Sequence, residues 1–217
     1  MYFNPKDIVS GDFYWATKQD NYFFLAVCDS TGHGVPGAFM SLLNIGFLTE
    51  AITEKNILNP GDVFNYVRMR LINSISKENQ KDGFDGVLLR FEIENTNIVS
   101  LAYAAANTAP LLIRGNELIE LPKDKMPVGI GETEDLFTTH TVELKKEDSI
   151  YIYTDGFPDQ FGGPKGKKFM SKNLRELLLA NTHVPMHEQK ELLERTFTNW
   201  VGNAEQIDDV TVIGIRV

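Results

Sequence analysis

The feature that most constrains the fold of this chain is an apolar segment that ends on an acid and continues into a glycine-rich turn. Residues 22–28 are rich in aromatic and aliphatic side chains and predict a β-strand, and Asp29 follows directly. Glycines recur in residues 32–37, where Pro36 suits the first turn of a helix. Because glycine lets the backbone approach a ligand closely, this unit places the Asp29 carboxylate at the end of a sheet beside bare backbone.

Hairpins, rather than strand–helix–strand units, dominate the rest of the pattern. A polar turn at 18–21 joins strands 12–18 and 22–28, and turn signals at 94–97 and 115–117 each separate two apolar segments. Further strands are predicted at 137–144, 149–154 and 210–217, and helices from Pro36, from Asn59, at 173–179 and at 185–200. Hairpin connections give antiparallel sheets, so we expect the α+β class. A length of 217 residues suits one domain.

Two groups of residues are expected to lie in the core. The helix that begins near Pro36 carries Phe39, Leu42, Leu43, Ile45 and Phe47, which predict a broad buried face. Cys28 lies in an apolar strand with no activating group nearby, which favours a buried small hydrophobic residue over a nucleophile.

Composition excludes several classes of function. The single cysteine rules out an intramolecular disulfide and fits a cytoplasmic compartment. The net charge of -9 argues against nucleic acid as a partner. No secretory signal is present and no apolar run approaches the roughly 20 residues of a membrane span, so we expect no membrane partner for this segment. Because the first strand has no element before it, we also expect a domain from a longer protein.

Acidic residues recur where predicted strands begin or end. They are Asp12, Asp29, Asp155 and the pair Asp208-Asp209. Each alone is explained as a turn or cap residue, and an excess of acids is most simply a solvated surface. If they meet at one edge of a sheet, however, like charges about 4 Å apart repel by roughly 4 kcal/mol. A divalent cation would relieve this repulsion, and oxygen ligands suit Mg²⁺ or Mn²⁺ better than Zn²⁺.

The order of these motifs resembles that of a known family. The motifs are Gly11-Asp12-Phe13-Tyr14, Asp29-Ser30-Thr31-Gly32-His33-Gly34-Val35-Pro36-Gly37-Ala38, Asp82-Gly83-Phe84-Asp85, Ala105-Ala106-Asn107-Thr108-Ala109-Pro110, Met126-Pro127-Val128-Gly129-Ile130, Tyr153-Thr154-Asp155-Gly156 and Asp208-Asp209-Val210-Thr211. From residue 5 to 217 the chain resembles the SpoIIE-type (RsbU-like) protein phosphatases, a bacterial branch of the metal-dependent protein phosphatase (PPM) superfamily. The resemblance implies an αββα sandwich of two mainly antiparallel sheets flanked by helices, with two Mn²⁺ or Mg²⁺ ions at one end.

The same resemblance implies roles for individual residues. Asp29 is expected to bridge both metals, and Ser30 to offer its backbone carbonyl. Asp155 and Asp208 are expected to hold one metal and Asp12 the other, through waters, which makes Asp29, Asp155 and Asp12 the catalytic residues. Asp159 resembles the ligand of a third, weaker metal, which Asp82 might join in a loose alignment. Asp209 is expected to form local hydrogen bonds instead.

Two positions depart from the family pattern. Many members place an arginine before the first metal acid to bind the phosphate, and here only Lys6 precedes Asp12. Trp15 stands where many relatives have a second acid. The first departure implies that the metals bind the phosphate without an arginine, and the second leaves Asp12 less support as a ligand.

The resemblance also implies a reaction and partners. The reaction is metal-dependent hydrolysis of phosphoserine or phosphothreonine, and the substrate is a phosphorylated regulatory protein of the anti-sigma antagonist (STAS) type. An upstream sensor region and a homodimer are further expectations.

Alternatives remain open at this point. A pseudophosphatase would use the same surface as a binding module. Haloacid-dehalogenase chemistry needs a second acid two residues after the nucleophile, where Asp29 is followed by Thr31. His33 is expected either to shape the glycine loop or to take a direct part in acid catalysis. His183 and His187 are four residues apart, but Pro185 between them argues against a zinc pair.

Overall fold

The secondary structure alternates between groups of strands and pairs of helices. The computed structural model describes residues 1–75, 82–95, 97–133 and 135–217. The strands are β1 (Tyr2–Asn4), β2 (Asp12–Gln19), β3 (Tyr22–Ser30), β4 (Gly83–Glu94), β5 (Asn97–Ala106), β6 (Leu111–Arg114), β7 (Glu117–Glu120), β8 (Val128–Gly129), β9 (His140–Val142), β10 (Ser149–Tyr153), β11 (Phe161–Gly162), β12 (Lys167–Lys168) and β13 (Val210–Arg216). The helices are α1 (Gly34–Thr49), continued by a π-helical segment (Glu50–Glu54), α2 (Pro60–Ile75), α3 (Gly156–Asp159), α4 (Ser171–Ala180) and α5 (Met186–Val201).

Two large sheets form the centre of the fold. Sheet A has the strand order β1-β13-β10-β6-β7. Sheet B has the order β2-β3-β4-β5-β9, with β8 paired to β4, and the short hairpin β11–β12 stands apart from both. Every pairing between these named strands is antiparallel. The predicted α+β class is therefore confirmed.

The side chains of β3 show how the layers are built. Residues along a strand point alternately to its two faces, and Phe24, Ala26 and Cys28 pack with α1 and α2 while Leu25 and Val27 pack between the two sheets. The outer face of sheet A is covered by α3, α4 and α5 through a third cluster that includes Tyr151, Phe157, Leu174, Leu193 and Phe197. Each fully buried apolar side chain contributes about 1.5–3 kcal/mol. The expected αββα sandwich and the buried Cys28 are confirmed.

Helix α1 does not bury the face that its apolar residues predicted. Phe39 and Leu42 are 64% and 66% exposed, and Leu43 is also exposed, whereas Phe47 is buried. The prediction of a broad buried face from Phe39 to Phe47 is therefore wrong for three of its five residues. The buried residues are instead Gly34, Gly37, Ser41, Asn44, Phe47 and Leu48.

Hydrogen bonds to the neighbouring strands explain this rotation of α1. Ser41 Oγ donates to the carbonyl of Gly11 (2.6 Å), and Asn44 Nδ2 donates to Ser30 Oγ (3.1 Å). These polar groups are buried, and a buried donor or acceptor without a partner would cost about 1–3 kcal/mol. Small and polar residues therefore bring α1 close to the end of β3.

The remaining boundaries agree with the sequence in most places. The hairpin β2–β3 and the turn between β6 and β7 are as predicted, and residue 96 of the predicted turn at 94–97 lies outside the described residues. The cap before α2 is confirmed, because Asn59 Oδ1 accepts a hydrogen bond from the amide of Asp62 (3.2 Å). The strand predicted at 137–144 is reduced to His140–Val142.

The combined helix from Gly34 to Glu54 bears on the question of membrane spans. Its 21 residues are long and apolar enough to cross a membrane by length and composition alone. The expectation that no apolar segment approaches this length is therefore wrong for this helix. Part of it packs in the core against sheet B, as residues Phe47, Leu48, Ala51 and Ile52 show.

Candidate metal centre

Three neighbouring strands of sheet B place carboxylates side by side. Asp12 on β2 pairs with Asp29 on β3, and Asp29 pairs with Asp85 on β4. Directly opposite residues on antiparallel strands have Cβ atoms about 4.5–5.5 Å apart. Asp85 was quoted within the motif Asp82-Gly83-Phe84-Asp85 but was not predicted as a site residue. Its position opposite Asp29 follows from strand register between distant segments, which the local pattern does not reveal.

Sheet A brings two further acids to the same place. Asp155 follows the end of β10, and Asp208 precedes the start of β13. Because β10 and β13 are antiparallel neighbours, the end of one meets the beginning of the other. Both carboxylates act electrostatically on Asp29, so the acids of the two sheets face each other across the end of the sandwich.

The crowding of these carboxylates changes their ionisation. Burial raises the pKa of Asp29 to about 9, and the neighbouring charges of Asp12, Asp155, Asp208 and Asp85 act in the same direction. The pKa of Asp155 is raised by burial and by Asp208 and Asp159, and that of Asp85 is raised by burial. A shift of this sign means that the site holds too much negative charge for its surroundings. A bound cation is the simplest physical remedy.

Asp12 has a different environment from Asp29. It is buried, and its Oδ2 accepts hydrogen bonds from the hydroxyls of Thr154 and Thr211, each at 2.6 Å. Burial raises the pKa of Asp12 to about 7 despite these two donors, which favour the ionised form. Asp12 does not line the cavity of about 220 Å³ beside Asp29, which we call the cleft. Its role as a metal ligand through waters stays a prediction, and its observed contacts join sheet B to sheet A.

Ser30 and the glycine loop present backbone to the cleft. The Ser30 side chain is buried, where its Oγ contacts Ser41 Oγ (3.2 Å) and accepts from Asn44. Any contribution of Ser30 to the cleft therefore falls to its main chain. A Cβ on Gly37 would lie 2.1 Å from the carbonyl oxygen of Gly32, so only glycine allows the loop and α1 to pack this closely.

The two acids of the Asp208-Asp209 pair lie in different environments, Asp208 at the cleft and Asp209 in the buried interior. Asp208 lines the cleft and accepts a hydrogen bond from the amide of Asp209 (2.8 Å). Asp209 is buried, and its two oxygens accept from the amides of Lys6 and Gly11, each at 2.8 Å. Asp209 forms hydrogen bonds as expected, but the expectation that they are local is wrong, because the partners of its carboxylate lie 203 and 198 residues away in the sequence.

Asp159 lies beside the centre and is partly neutralised. Its Oδ2 is 2.8 Å from Lys168 Nζ, and the side chain is 44% exposed. With Asp155 it lines a second cavity of about 180 Å³. Asp82, the loosely aligned candidate, is not among the residues that line either cavity. Ligation of a third metal by Asp159 stays a prediction.

The cleft itself is a cavity of about 220 Å³. It is lined by Asp29, Ser30, Thr31, Gly32, His33, Phe84, Asp85, Pro127 and Asp208. His33 is exposed here, with Nδ1 3.5 Å from Asp7 Oδ2. Both interpretations of His33 stay predictions.

The donor set fits Mg²⁺ or Mn²⁺ provided that bound waters complete the coordination of each ion. Among the described residues, no group of three or more His, Cys, Asp or Glu side chains is arranged closely enough to hold a metal ion by itself. Mg²⁺ keeps several waters and is usually bound through one or two carboxylates. Oxygen ligands around Asp29, the raised pKa values and a cleft of about 220 Å³ therefore fit hydrated divalent ions, whereas a closed zinc site does not fit.

Comparison with known proteins identifies the class first and then the family. An αββα sandwich with this acidic end is the fold of the PPM phosphatases. The SiaA-PP2C domain of Pseudomonas aeruginosa matches this chain with a TM-score of 0.88 and 27% sequence identity. The match covers 99% of this chain and 84% of that chain. The family model for stage II sporulation protein E (SpoIIE) matches residues 19–217. The chain therefore belongs to the SpoIIE family and is a SpoIIE-type domain of the PPM protein-serine/threonine phosphatases.

More distant structures share the same fold. The PP2C phosphatase domain of SpoIIE from Bacillus subtilis, solved with a fragment of its regulatory domain, matches with a TM-score of 0.75 and 20% identity over 99% of this chain and 61% of that chain. RsbX in complex with magnesium matches with a TM-score of 0.66 and 18% identity over 98% of this chain and 91% of that chain. None of the curated proteins searched matches the chain.

Proposed function

We propose that this domain removes phosphate from phosphoserine or phosphothreonine on a regulatory protein, using two Mn²⁺ or Mg²⁺ ions that share Asp29. The observation that carries the proposal is the set of acids from both sheets around Asp29, whose charges act with burial, the larger cause, to raise the pKa of its carboxyl group to about 9. In such a site the ionised form of the carboxyl groups is disfavoured unless cations are bound. The magnesium complex of the RsbX relative supports the choice of metal.

The proposed division of labour follows the contacts of each residue. Asp29 and the main chain of Ser30 would hold the ions from sheet B, and Asp155 and Asp208 would hold them from sheet A. Two bound divalent ions would supply a nucleophilic water at neutral pH and neutralise the phosphoryl oxygens. Asp12 would keep the sheets in register through its threonine partners.

Charge explains why phosphate binding would depend on the metals. The residues that line the cleft include three aspartates and no lysine or arginine. A phosphate dianion is repelled by such a surface. The hydrogen bond of Lys6 is made by its backbone amide, which donates to Asp209 Oδ1 (2.8 Å).

The cellular context is proposed from the relatives. SpoIIE from Bacillus subtilis is described as a cell-fate determinant, and its structure includes part of a regulatory domain. We infer a phosphorylated regulatory protein of the STAS type as substrate, an upstream sensor region joined to residues 1–217, and a cytoplasmic location. Dimerisation of the phosphatase domain is part of the same proposal.

Phosphate release from p-nitrophenyl phosphate and from a phosphoserine peptide tests the proposed activity. We expect release that requires Mn²⁺ or Mg²⁺ and falls by at least about 100-fold in Asp29→Asn, since the residue would bind both ions. Asp20→Asn is the matched control, because Asp20 lies at the opposite end of the β2–β3 hairpin with a φ of 53°, which asparagine adopts readily. The hypothesis is falsified if the folded, metal-loaded protein releases no more phosphate than Asp29→Asn.

A binding module without catalysis is the second candidate function. It is favoured by the lack of a ready-made group of three metal-binding side chains in the described residues. Calorimetry separates the two functions, because a pseudophosphatase would bind its partner equally well with and without divalent ions.

A further inference from the structure

A run of basic residues directly follows the acids Asp155 and Asp159 and has no role in the site described above. Between residues 160 and 175 the chain carries five basic side chains and no acidic one, although its net charge is -9. The five, which we call the basic surface, are Lys165, Lys167, Lys168, Lys172 and Arg175. They lie on the β11–β12 hairpin and on the first two turns of α4. The chain therefore concentrates positive charge at one place.

The basic surface begins at the second cavity, which Asp155 and Asp159 line. Lys168 Nζ lies 2.8 Å from Asp159, and the amide of Asp159 donates to the carbonyl of Asp155 (2.9 Å). Arg175 lines the cavity of about 180 Å³ together with both acids. A molecule seated in this second cavity at Asp155 would therefore contact Arg175 and lie beside Lys168, at the edge of the basic surface.

The hairpin that carries the lysines is firmly supported. The amide of Gly163 donates to the carbonyl of Trp200 (2.8 Å), and Trp200 Nε1 donates to the carbonyl of Gln160 (2.9 Å). A Cβ on Gly162 would lie 1.9 Å from the Trp200 carbonyl oxygen, so glycine allows the hairpin to pack directly on α5. Charges on a fixed support lose less conformational entropy when a partner binds.

The basic surface contains charges that the fold itself does not use. Lys168 pairs with an acid, and so do Lys172 and Arg175, with Glu176 and Glu120 respectively. Lys165 and Lys167 are exposed and form no ion pair with any residue that the structure describes. These two ammonium groups are therefore available to a partner.

We propose that the basic surface docks an acidic flank of the phosphorylated substrate while the phosphorylated side chain lies in the cleft near Asp29. This proposal rests on the proposed function and deepens it by giving the chemistry of the substrate. A protein with a net charge of -9 repels acidic phosphoproteins as a whole. A local patch of the opposite sign orients the encounter and speeds association, without acting on the reacting bond.

Two labelled phosphoserine peptides test the docking proposal. They share one sequence except that Asp and Glu flank the phosphoserine in the first and Asn and Gln flank it in the second. Binding is followed by fluorescence anisotropy and hydrolysis by phosphate release with Mn²⁺. We expect the acidic peptide to bind about tenfold more tightly at low salt and the difference to shrink as NaCl is added. We expect Lys165→Glu with Lys167→Glu to abolish the preference in binding and in kcat/KM.

The matched control reverses two other lysines. Lys145 and Lys146 are also exposed and adjacent in sequence, and they precede the start of β10, whereas Asp155 follows its end. Their double replacement by glutamate changes the net charge equally and should leave the preference for the acidic peptide intact.

Three results would each overturn the docking proposal. The first is equal binding of both peptides to the unaltered protein, and the second is a preference for the acidic peptide that survives in the Lys165 and Lys167 variant. The third is tighter binding of a DNA oligonucleotide of matched charge through the same lysines. A preference in binding without phosphate release from either peptide would support docking and refute the proposed function. Release of phosphate from both peptides at equal rates would support the proposed function and refute docking.

Discussion

Thr211 of sheet A donates its hydroxyl hydrogen bond to Asp12 of sheet B over 2.6 Å, and Thr154 donates to the same oxygen. Thr154 in turn accepts a hydrogen bond from the amide of Thr211 (3.0 Å). The hydroxyl of Thr154 is thereby oriented toward Asp12. All three side chains are buried, so this small network joins the two sheets directly behind the acids of the cleft.

Removing one donor from this network should destabilise the protein in a pH-dependent way. Thr211→Val keeps the side-chain shape and removes only the hydrogen bond to Asp12, so we expect a loss of about 1.5–3 kcal/mol in the free energy of unfolding. Because the hydroxyl stabilises the ionised carboxylate, the loss should be larger at pH 8 than at pH 5. Urea unfolding at both pH values measures it, with Thr141→Val on the exposed face of β9 as control. Equal losses at both pH values would show that Asp12 does not titrate.

The acids around Asp29 should make the metal-free protein less stable as the pH rises. The pKa of Asp29 is raised from 3.8 to about 9 in the folded state, so the folded protein holds a proton that the unfolded chain releases. Stability is therefore highest below about pH 4 with respect to this group, and it falls by up to about 1.4 kcal/mol per pH unit until about pH 9. Asp12, Asp85 and Asp155 shift in the same direction.

Thermal unfolding of the metal-free protein between pH 5 and pH 8 measures this dependence. Asp29→Asn should lower its slope, whereas Asp20→Asn should leave the slope unchanged. Because protons compete with cations for the same carboxylates, MnCl₂ should raise the Tm more at pH 8 than at pH 5. A metal-free protein whose stability rises over this range would contradict the assignment of the raised pKa to Asp29.

Local patterns sufficed for much of the fold. The alternation of residues in β3 and the polar turn before it predicted the β2–β3 hairpin, whose register sets Asp12 opposite Asp29. The buried face of helix α1 was predicted wrongly because the helix has more apolar residues than buried positions. Ser41 and Asn44 determine the face that packs, through hydrogen bonds to Gly11 and Ser30 that no local pattern encodes.

The sequence predicted most residues of the candidate site but did not predict how they are arranged. Asp29, Asp155 and Asp208 were found as acids at strand ends, and their convergence depends on the pairing of β10 with β13, whose paired residues lie 59 or more positions apart in the sequence. Asp85 escaped notice because its importance arises only from the pairing of β3 with β4. Trp15, whose position raised doubt about Asp12, simply packs against the core between sheet B and the helices.

Asp85 should contribute to metal binding although the sequence did not mark it. It lies in register with Asp29 and lines the cleft, and its Oδ1 accepts a hydrogen bond from Asn107 Nδ2 (2.9 Å). Asp85→Asn removes a negative charge beside Asp29, so we expect the affinity for Mn²⁺ to fall by about 10–100-fold. Calorimetric titration with Mn²⁺ measures the change, and Asp20→Asn serves as control. An unchanged affinity would restrict Asp85 to orienting Asn107.

The close packing of the glycine loop on α1 should be essential for the site rather than for folding alone. A Cβ on Gly37 would lie 2.1 Å from the Gly32 carbonyl oxygen, so Gly37→Ala must displace the loop that follows Asp29. We expect at least about a tenfold loss of Mn²⁺ affinity, because a shift of the supporting shell misplaces the ligands.

Gly46 on the same helix provides the matched control for this substitution. A Cβ there meets no atom within 4 Å, and alanine is favoured over glycine in a helix by about 0.5–1 kcal/mol. Gly46→Ala should therefore raise the free energy of urea unfolding slightly and leave Mn²⁺ binding unchanged. If Gly37→Ala instead bound Mn²⁺ as tightly as Gly46→Ala does, the backbone of the loop would have no part in the metal centre, and the ligands would have to be sought among the side chains of Asp29, Asp85, Asp155 and Asp208.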